Sequence, residues 1–262
     1  METLNTLLSR KDLRFLEEVI VAHGRIVSFK QLKEVAGTTY SIEELRNRIA
    51  LLSKKGWLLR LKKGLYVIIT DISSLGFSDV SEYIIAQALN KESYISFENA
   101  LQYHSMFDQM LTTVSSVTHT RARTYTVEKD KTYRFFHIRN ELYFGFSEER
   151  VSGQIVRIAE REKALLDMLY FQSTSSLTAS VVLEKLQEHR HDIDFHRLKQ
   201  YAQRYSLTVV REIGFLLDQL QVETDDLYTV VHTKGSSYSK MSKDADTFNA
   251  KWRLYYDARL TH

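Results

Sequence analysis

The chain opens with three segments whose apolar residues recur at helical spacing. In the first, Leu13, Leu16, Ile20 and His23 follow Ser9 and Asp12, which suit a helix start, and Gly24 ends the segment. Arg25-Ile26-Val27 reads as a brief extended piece. Ser28 then opens a second helix with Gln31 as its capping-box partner. Leu32 and Val35 point inward, and Gly37 is placed to terminate it. In the third, Ser41 and Glu44 form another capping box ahead of a narrow stripe of Ile42, Leu45, Ile49 and Leu52, closed by Gly56. Its opposite face carries Glu43, Arg46, Asn47, Ala50, Ser53 and Lys54. Two short strands follow, Trp57–Leu61 and Leu65–Ile69, joined by the tight basic turn Lys62-Lys63-Gly64.

Helix, short helix, turn, long helix and basic hairpin is the order of a winged helix-turn-helix. Such a module places its third helix in the major groove, where Arg pairs with guanine and Asn with adenine, while a basic wing reaches phosphates or the minor groove. The candidate DNA-binding residues are therefore Tyr40, Arg46, Asn47, Lys54, Arg60, Lys62 and Lys63. Small three-helix modules also dock on proteins, and Arg46 has Glu43 and Glu44 nearby in sequence as possible ion-pair partners.

Residues 71–80 are small and polar enough for a connector. The pattern predicts a helix from about Ser81 to Asn90, an extended Tyr94-Ile95-Ser96, and a helix through Glu98–Leu101. Between Thr112 and Ile158 short β-prone runs alternate with charged turns such as Glu128–Lys131, predicting a sheet of four or five strands. Helical spacing returns in Arg161–Phe171, in Phe195, Leu198, Ala202 and Tyr205 behind Asp194, and in Val210, Ile213, Leu217 and Leu220. Ser173–Ser176 and Thr233–Lys243 read as polar loops, and Trp252–Tyr256 alternates like a terminal strand. Sheet first and helices after, without regular alternation, predicts an α+β fold. Two units are expected: a DNA-binding winged helix over residues 1–72 and a larger α+β domain over 73–262.

Composition narrows the chemistry. The 262 residues include no cysteine, which excludes disulfides, Cys-ligated metal and thiol catalysis. They also include no proline, where about 5% is usual; nothing in the sequence accounts for it. No apolar run approaches the ~20 residues of a membrane span, and the start lacks the order of a secretory signal, so a cytoplasmic protein is expected. The net charge of +3 is unevenly spread: residues 1–70 hold thirteen Lys/Arg against seven Asp/Glu, a balance of +6, and the rest carry −3. A basic module on a near-neutral body suits an anionic partner.

Other chemistry finds little support. His189, His191 and His196 do not converge as metal ligands must. Glu160, Glu162 and Asp167 do not make a paired-carboxylate site: on a helix Glu160 and Asp167 lie on one side at the surface, with Lys163 pairing with one of them. Lys234-Gly235-Ser236-Ser237 lacks the leading glycine of a phosphate-binding loop. No catalytic residue, metal or cofactor is expected. Arg121 and Arg123 lie in a basic, hydroxyl-rich strand-and-loop segment. They are possible secondary phosphate contacts, or simply the charges of a soluble edge strand.

The segment Tyr94-Ile95-Ser96-Phe97-Glu98-Asn99-Ala100-Leu101-Gln102-Tyr103-His104 resembles the block that AbiEi-type antitoxins carry just past their winged helix. Lys63-Gly64-Leu65-Tyr66 is similar to the family's wing. Ser115–Thr118, Phe135–Ile138, Leu142–Phe146 and Glu162–Tyr170 follow in the family's order, so the likeness spans about residues 5–175, with the Lys251-Trp252 region beyond. Ser105 departs from a frequent glycine, and prolines expected near Ser93 and Glu162 are missing. The resemblance implies a non-enzymatic antitoxin of an abortive-infection (AbiE, type IV) toxin–antitoxin pair. Such a protein represses its own operon by binding promoter duplex DNA through the winged helix. Its larger domain counteracts a nucleotidyltransferase-like toxin without requiring a stable complex. The alternatives are a winged-helix protein-interaction module, a DNA-binding regulator without a toxin partner, and, with least support, a nuclease or other enzyme.

Overall fold

A computed structural model of the chain describes residues 8–71, 80–127, 131–171, 176–234 and 236–261. Most of the expected connector, the turn at 128–130 and the start of the polar loop at Ser173 lie outside the described residues.

Local capping sets the N-terminal elements. Helix α1 (Arg10–His23) starts where the Ser9 hydroxyl accepts from the Asp12 amide at 3.1 Å, and it ends at Gly24, φ 79°. Its buried face is Phe15, Leu16 and Val19, whereas Leu13 is 47% exposed. The apolar stripe expected through Leu13 and Ile20 is thus displaced by one residue. Strand β1 (Ile26–Ser28) leads into α2 (Phe29–Ala36), and α3 is Ile42–Lys54; both helices carry the expected reciprocal capping boxes, Ser28/Gln31 and Ser41/Glu44. Each such cap contributes on the order of 1 kcal/mol. Leu45, Ile49 and Leu52 are buried, while Ile42 at the helix start stays about half exposed. Strands β2 (Leu58–Lys62) and β3 (Leu65–Ile68) complete a sheet of order β1-β3-β2.

The hairpin buries both of its faces. Leu58 and Ile68 join Phe15, Val19, Leu32, Leu45 and Trp57 in a small core, whereas Leu61, Val67 and Ile69 belong to the larger core that runs on to Leu260. This is why the hairpin reads as continuous apolar runs instead of alternating ones.

The larger part begins with α4 (Glu82–Leu89), β4 (Ser93–Ile95) and α5 (Phe97–Tyr103). Five strands then fall within the predicted region: β5 (Thr113–Thr118), β6 (Arg123–Val127), β7 (Lys131–His137), β8 (Phe146–Val151) and β9 (Gln154–Ala159). Strand β4 joins them, giving a six-stranded mixed sheet of order β6-β7-β5-β4-β9-β8. Ser105 follows α5 with φ 61°, a left-handed conformation that favours glycine. Helices α6 (Arg161–Phe171), α7 (Ser176–Glu188), α8 (Phe195–Ala202), α9 (Leu207–Gln219) and α10 (Asp225–Thr233) follow. A separate small sheet closes the chain, from β10 (Ser239–Lys240), β11 (Thr247–Asn249) and β12 (Leu254–Tyr256). The fold is α+β.

Helix α6 corrects one expectation. Asp167, expected at a helix surface, is fully buried, and Glu162 is 3% exposed, because α6 is packed by α5, α8 and α9. Lys163 Nζ donates to Asp167 at 2.5 Å and also contacts the Tyr205 hydroxyl at 2.5 Å. Asp167 accepts further bonds from Tyr94, Ser96 and Tyr205. Burial pulls the Lys163 ammonium below its usual range despite Asp167, and it pushes the Tyr94 and Tyr205 phenols well up. The group is sealed and internally satisfied, and it clamps α6 to β4 and to the end of α8. At the C-terminus, Trp252 packs its ring closely against α9, where a Cβ added to Gly214 would meet it at 2.3 Å. Its indole N–H donates to Asp218 at 2.7 Å.

Candidate nucleic-acid interface

The outward face of α3 is held in place from behind. Arg48, on the side of α3 facing α1, donates to the Asp12 carboxylate at 2.7 Å, with Asp12 only 5% exposed. Burial alone would raise the Asp12 pKa, but hydrogen bonds from Ser9 and Arg48 outweigh it and hold the carboxyl below its usual range. The Arg48 guanidinium also sits 4.5 Å from the Tyr40 ring centroid, and that ring meets Phe15 edge-on at 6.0 Å. Tyr40, expected to reach DNA, is therefore a half-buried strut between α1 and α3. Asp12 read only as a helix-start residue and Arg48 did not stand out, since nothing local links residues 36 apart.

Arg46, Asn47, Ala50 and Lys54 are exposed along α3. Glu44, a possible partner for Arg46, is instead committed to its cap, accepting from the Ser41 amide at 2.7 Å. Among the described residues no carboxylate pairs with Arg46; its guanidinium lies 6.0 Å from the Phe29 ring. Phe29 also ties in the wing, because its amide donates to the Gly64 carbonyl at 2.9 Å. Gly64 takes φ 75° in that turn. The structure thus gathers Arg46 and the wing turn around the start of α2.

The wing itself differs from expectation at one lysine. Lys62 does not extend from the tip: a bulge between Arg60 and Lys62 turns it back, and its ammonium donates to the Leu89 carbonyl of α4 at 2.7 Å. The cause is the hairpin's second buried face, which presses β2 against the larger core. Lys63 and Arg60 remain exposed. Arg121 and Arg123 are exposed as well, at the β6 end of the six-stranded sheet on and just before that strand, and the Arg123 guanidinium donates to the Tyr125 hydroxyl at 3.4 Å. Strand β2 runs beside β6, so Arg60 and Arg123 stand on neighbouring strands.

Residues 14–69 match a protein-family model described as "Transcriptional regulator, AbiEi antitoxin". Over that stretch the module is similar to the AbiEi antitoxins. The matched segment takes in α2, α3, the wing and most of α1, with the Ser9 cap lying just ahead of it. The whole chain is similar in fold to a crystal structure titled "RV2827C protein from Mycobacterium tuberculosis", with TM-score 0.64 over 92% of this chain and 90% of that one, at 10% identity. At that identity the likeness is one of fold alone. No curated protein matches the chain.

Elsewhere the chemistry is sparse. Among the described residues no three His, Asp or Glu side chains gather as metal ligands. His189 instead lies 3.4 Å from Asp192 across the end of α7. No described helix is long and apolar enough to cross a membrane.

Proposed function

We propose that the chain is an antitoxin and transcriptional autorepressor. Residues 1–72 act as the unit that binds its own operon promoter, and residues 73–262 as the unit that counteracts a nucleotidyltransferase-type toxin in the cytoplasm. The observation that carries this reading is the AbiEi match over a module whose third helix leaves Arg46, without a carboxylate partner among the described residues, and Asn47 exposed on one face. Arg46 and Asn47 read bases, Lys54, Arg60 and Lys63 contact phosphates, and Arg121 and Arg123 extend those contacts. Lys62 supports the wing from inside. The regulator needs no cofactor, and toxin control needs no stable complex.

The division of labour is tested in one cell with a promoter reporter and an induced cognate toxin. Arg46→Ala combined with Lys63→Ala is expected to abolish repression while protection from toxin persists at normal protein level. Loss of protection together with repression, with the protein still at its normal level, contradicts the division.

A further inference from the structure

The last three strands form a small sheet with an aromatic outer face. Its register places Lys240 opposite Tyr255 and Phe248 opposite Tyr255, so the three side chains make one row across β10, β12 and β11. The residues flanking Tyr255 point the other way: Leu254 is fully buried and the Tyr256 ring packs at a tilt against Phe215, centroids 4.5 Å apart. On the outer face the Phe248 and Tyr238 rings lie 4.9 and 5.3 Å from Tyr255. The Lys240 ammonium sits 5.3 Å from the Tyr255 centroid. Phe248 is 49% and Tyr238 64% exposed, so these rings touch one another while still facing water.

An aromatic cluster left in water calls for a partner, and the surrounding charges say which kind. Lys234, Lys240 and Lys243 are exposed, and none has a carboxylate partner among the described residues. Asp244 and Asp246 are the acidic residues of the same stretch, outnumbered by the lysines. The described outer row contains rings and a cation but no aliphatic side chain. Flat rings offer stacking surfaces to unpaired bases, and ammonium groups beside them meet the intervening phosphates, the arrangement by which sheet surfaces hold single strands. A duplex keeps its base faces stacked inside and presents nothing to these rings.

We propose that this outer face binds single-stranded RNA, independently of the winged helix. The test uses the full-length chain and fluorescence anisotropy with a labelled oligouridine of about twelve nucleotides, a length within the usual span of such sites. Phe248→Ala and Tyr238→Ala remove exposed rings and are expected to leave circular dichroism and thermal melting unchanged. Each is expected to weaken oligouridine binding between about five- and a hundred-fold. Lys240→Ala is expected to make the salt dependence shallower, by about 0.7 in the slope of log affinity against log salt. Arg46→Ala in α3 is expected to leave oligouridine binding unchanged, which separates this site from the duplex-binding reading. The proposal is overturned by absence of oligouridine binding or by binding that survives loss of both rings. Binding of oligothymidine without oligouridine also overturns it. So does a ring variant that loses contact with a protein partner while RNA affinity stays the same.

Discussion

Glu212 sits in the middle of α9 at 1% exposure, and neither carboxylate oxygen has a hydrogen-bond partner. Burial pushes its pKa from 4.5 up to about 8, so the side chain is neutral in the folded protein at pH 7. In the unfolded chain it ionises near its ordinary value. The folded state therefore binds the extra proton, and stability falls as pH rises through the window between 4.5 and about 8. With a tenfold change in proton occupancy worth about 1.4 kcal/mol, the loss relative to low pH is about 1 kcal/mol at pH 5, about 3 at pH 7 and nearly 5 at pH 9. Glu212→Gln removes the proton equilibrium while keeping size and shape. Urea unfolding of both proteins across pH 5–9 is expected to show the variant gaining about 4 kcal/mol on the wild type over that range, whatever its offset at pH 5. Groups that titrate alike in both proteins cancel in this difference. A stability difference that does not change with pH refutes the reasoning, because Glu212 would then be ionised or solvated in the fold.

Three further substitutions probe the framework. Asp12→Ala strands Arg48 behind the third helix and is expected to cost about 3–5 kcal/mol in urea unfolding, with promoter binding weakened through loss of the α1–α3 brace. Asp167→Ala leaves Lys163 in the core without its carboxylate partner and strips Tyr94, Ser96 and Tyr205 of their shared acceptor, with a similar expected loss of about 3–5 kcal/mol, read as a lower thermal midpoint. Gly214→Ala drives a methyl group into the Trp252 ring and is expected to cost at least about 1–3 kcal/mol. A tryptophan emission red-shift reporting the displaced indole would accompany that loss.

Much of the module was legible because its signals are local. Ser9, Ser28/Gln31 and Ser41/Glu44 all form the caps that their spacing predicts, and a capping box needs only four consecutive residues to declare itself. The five strands between 113 and 159 were legible for a similar reason, since β-branched and aromatic runs alternate there with charged turns. What escaped depends on distant partners. The bond from Lys62 to Leu89 joins residues 27 apart, and although the hairpin's continuous apolar runs fit burial on both faces, nothing near Lys62 shows that its ammonium turns back to that partner. Lys163 and Asp167 are spaced as a surface i,i+4 pair, and that spacing is the same whether the pair faces water or a core. Strands β10 and β11 have two and three residues, too few for alternation to show, so the Thr233–Lys243 stretch reads as loop and its neighbouring aromatics as incidental. Of the expected interface, Arg46, Asn47, Lys54, Arg60 and Lys63 stand exposed, as do Arg121 and Arg123, whereas Tyr40 and Lys62 are occupied internally.

The central claim is that the uncovered face of α3 reads promoter sequence. Its most direct test titrates the full-length chain against a duplex taken from immediately upstream of its own reading frame and against a shuffled duplex of equal length, at one fixed salt concentration. The wild type is expected to prefer the promoter. Arg46→Ala is expected to lose about 1–3 kcal/mol on the promoter and much less on the shuffled duplex, so that the preference collapses. Equal losses on both duplexes would reduce Arg46 to a phosphate contact, and a wild type that binds both duplexes alike would contradict base reading by this helix altogether.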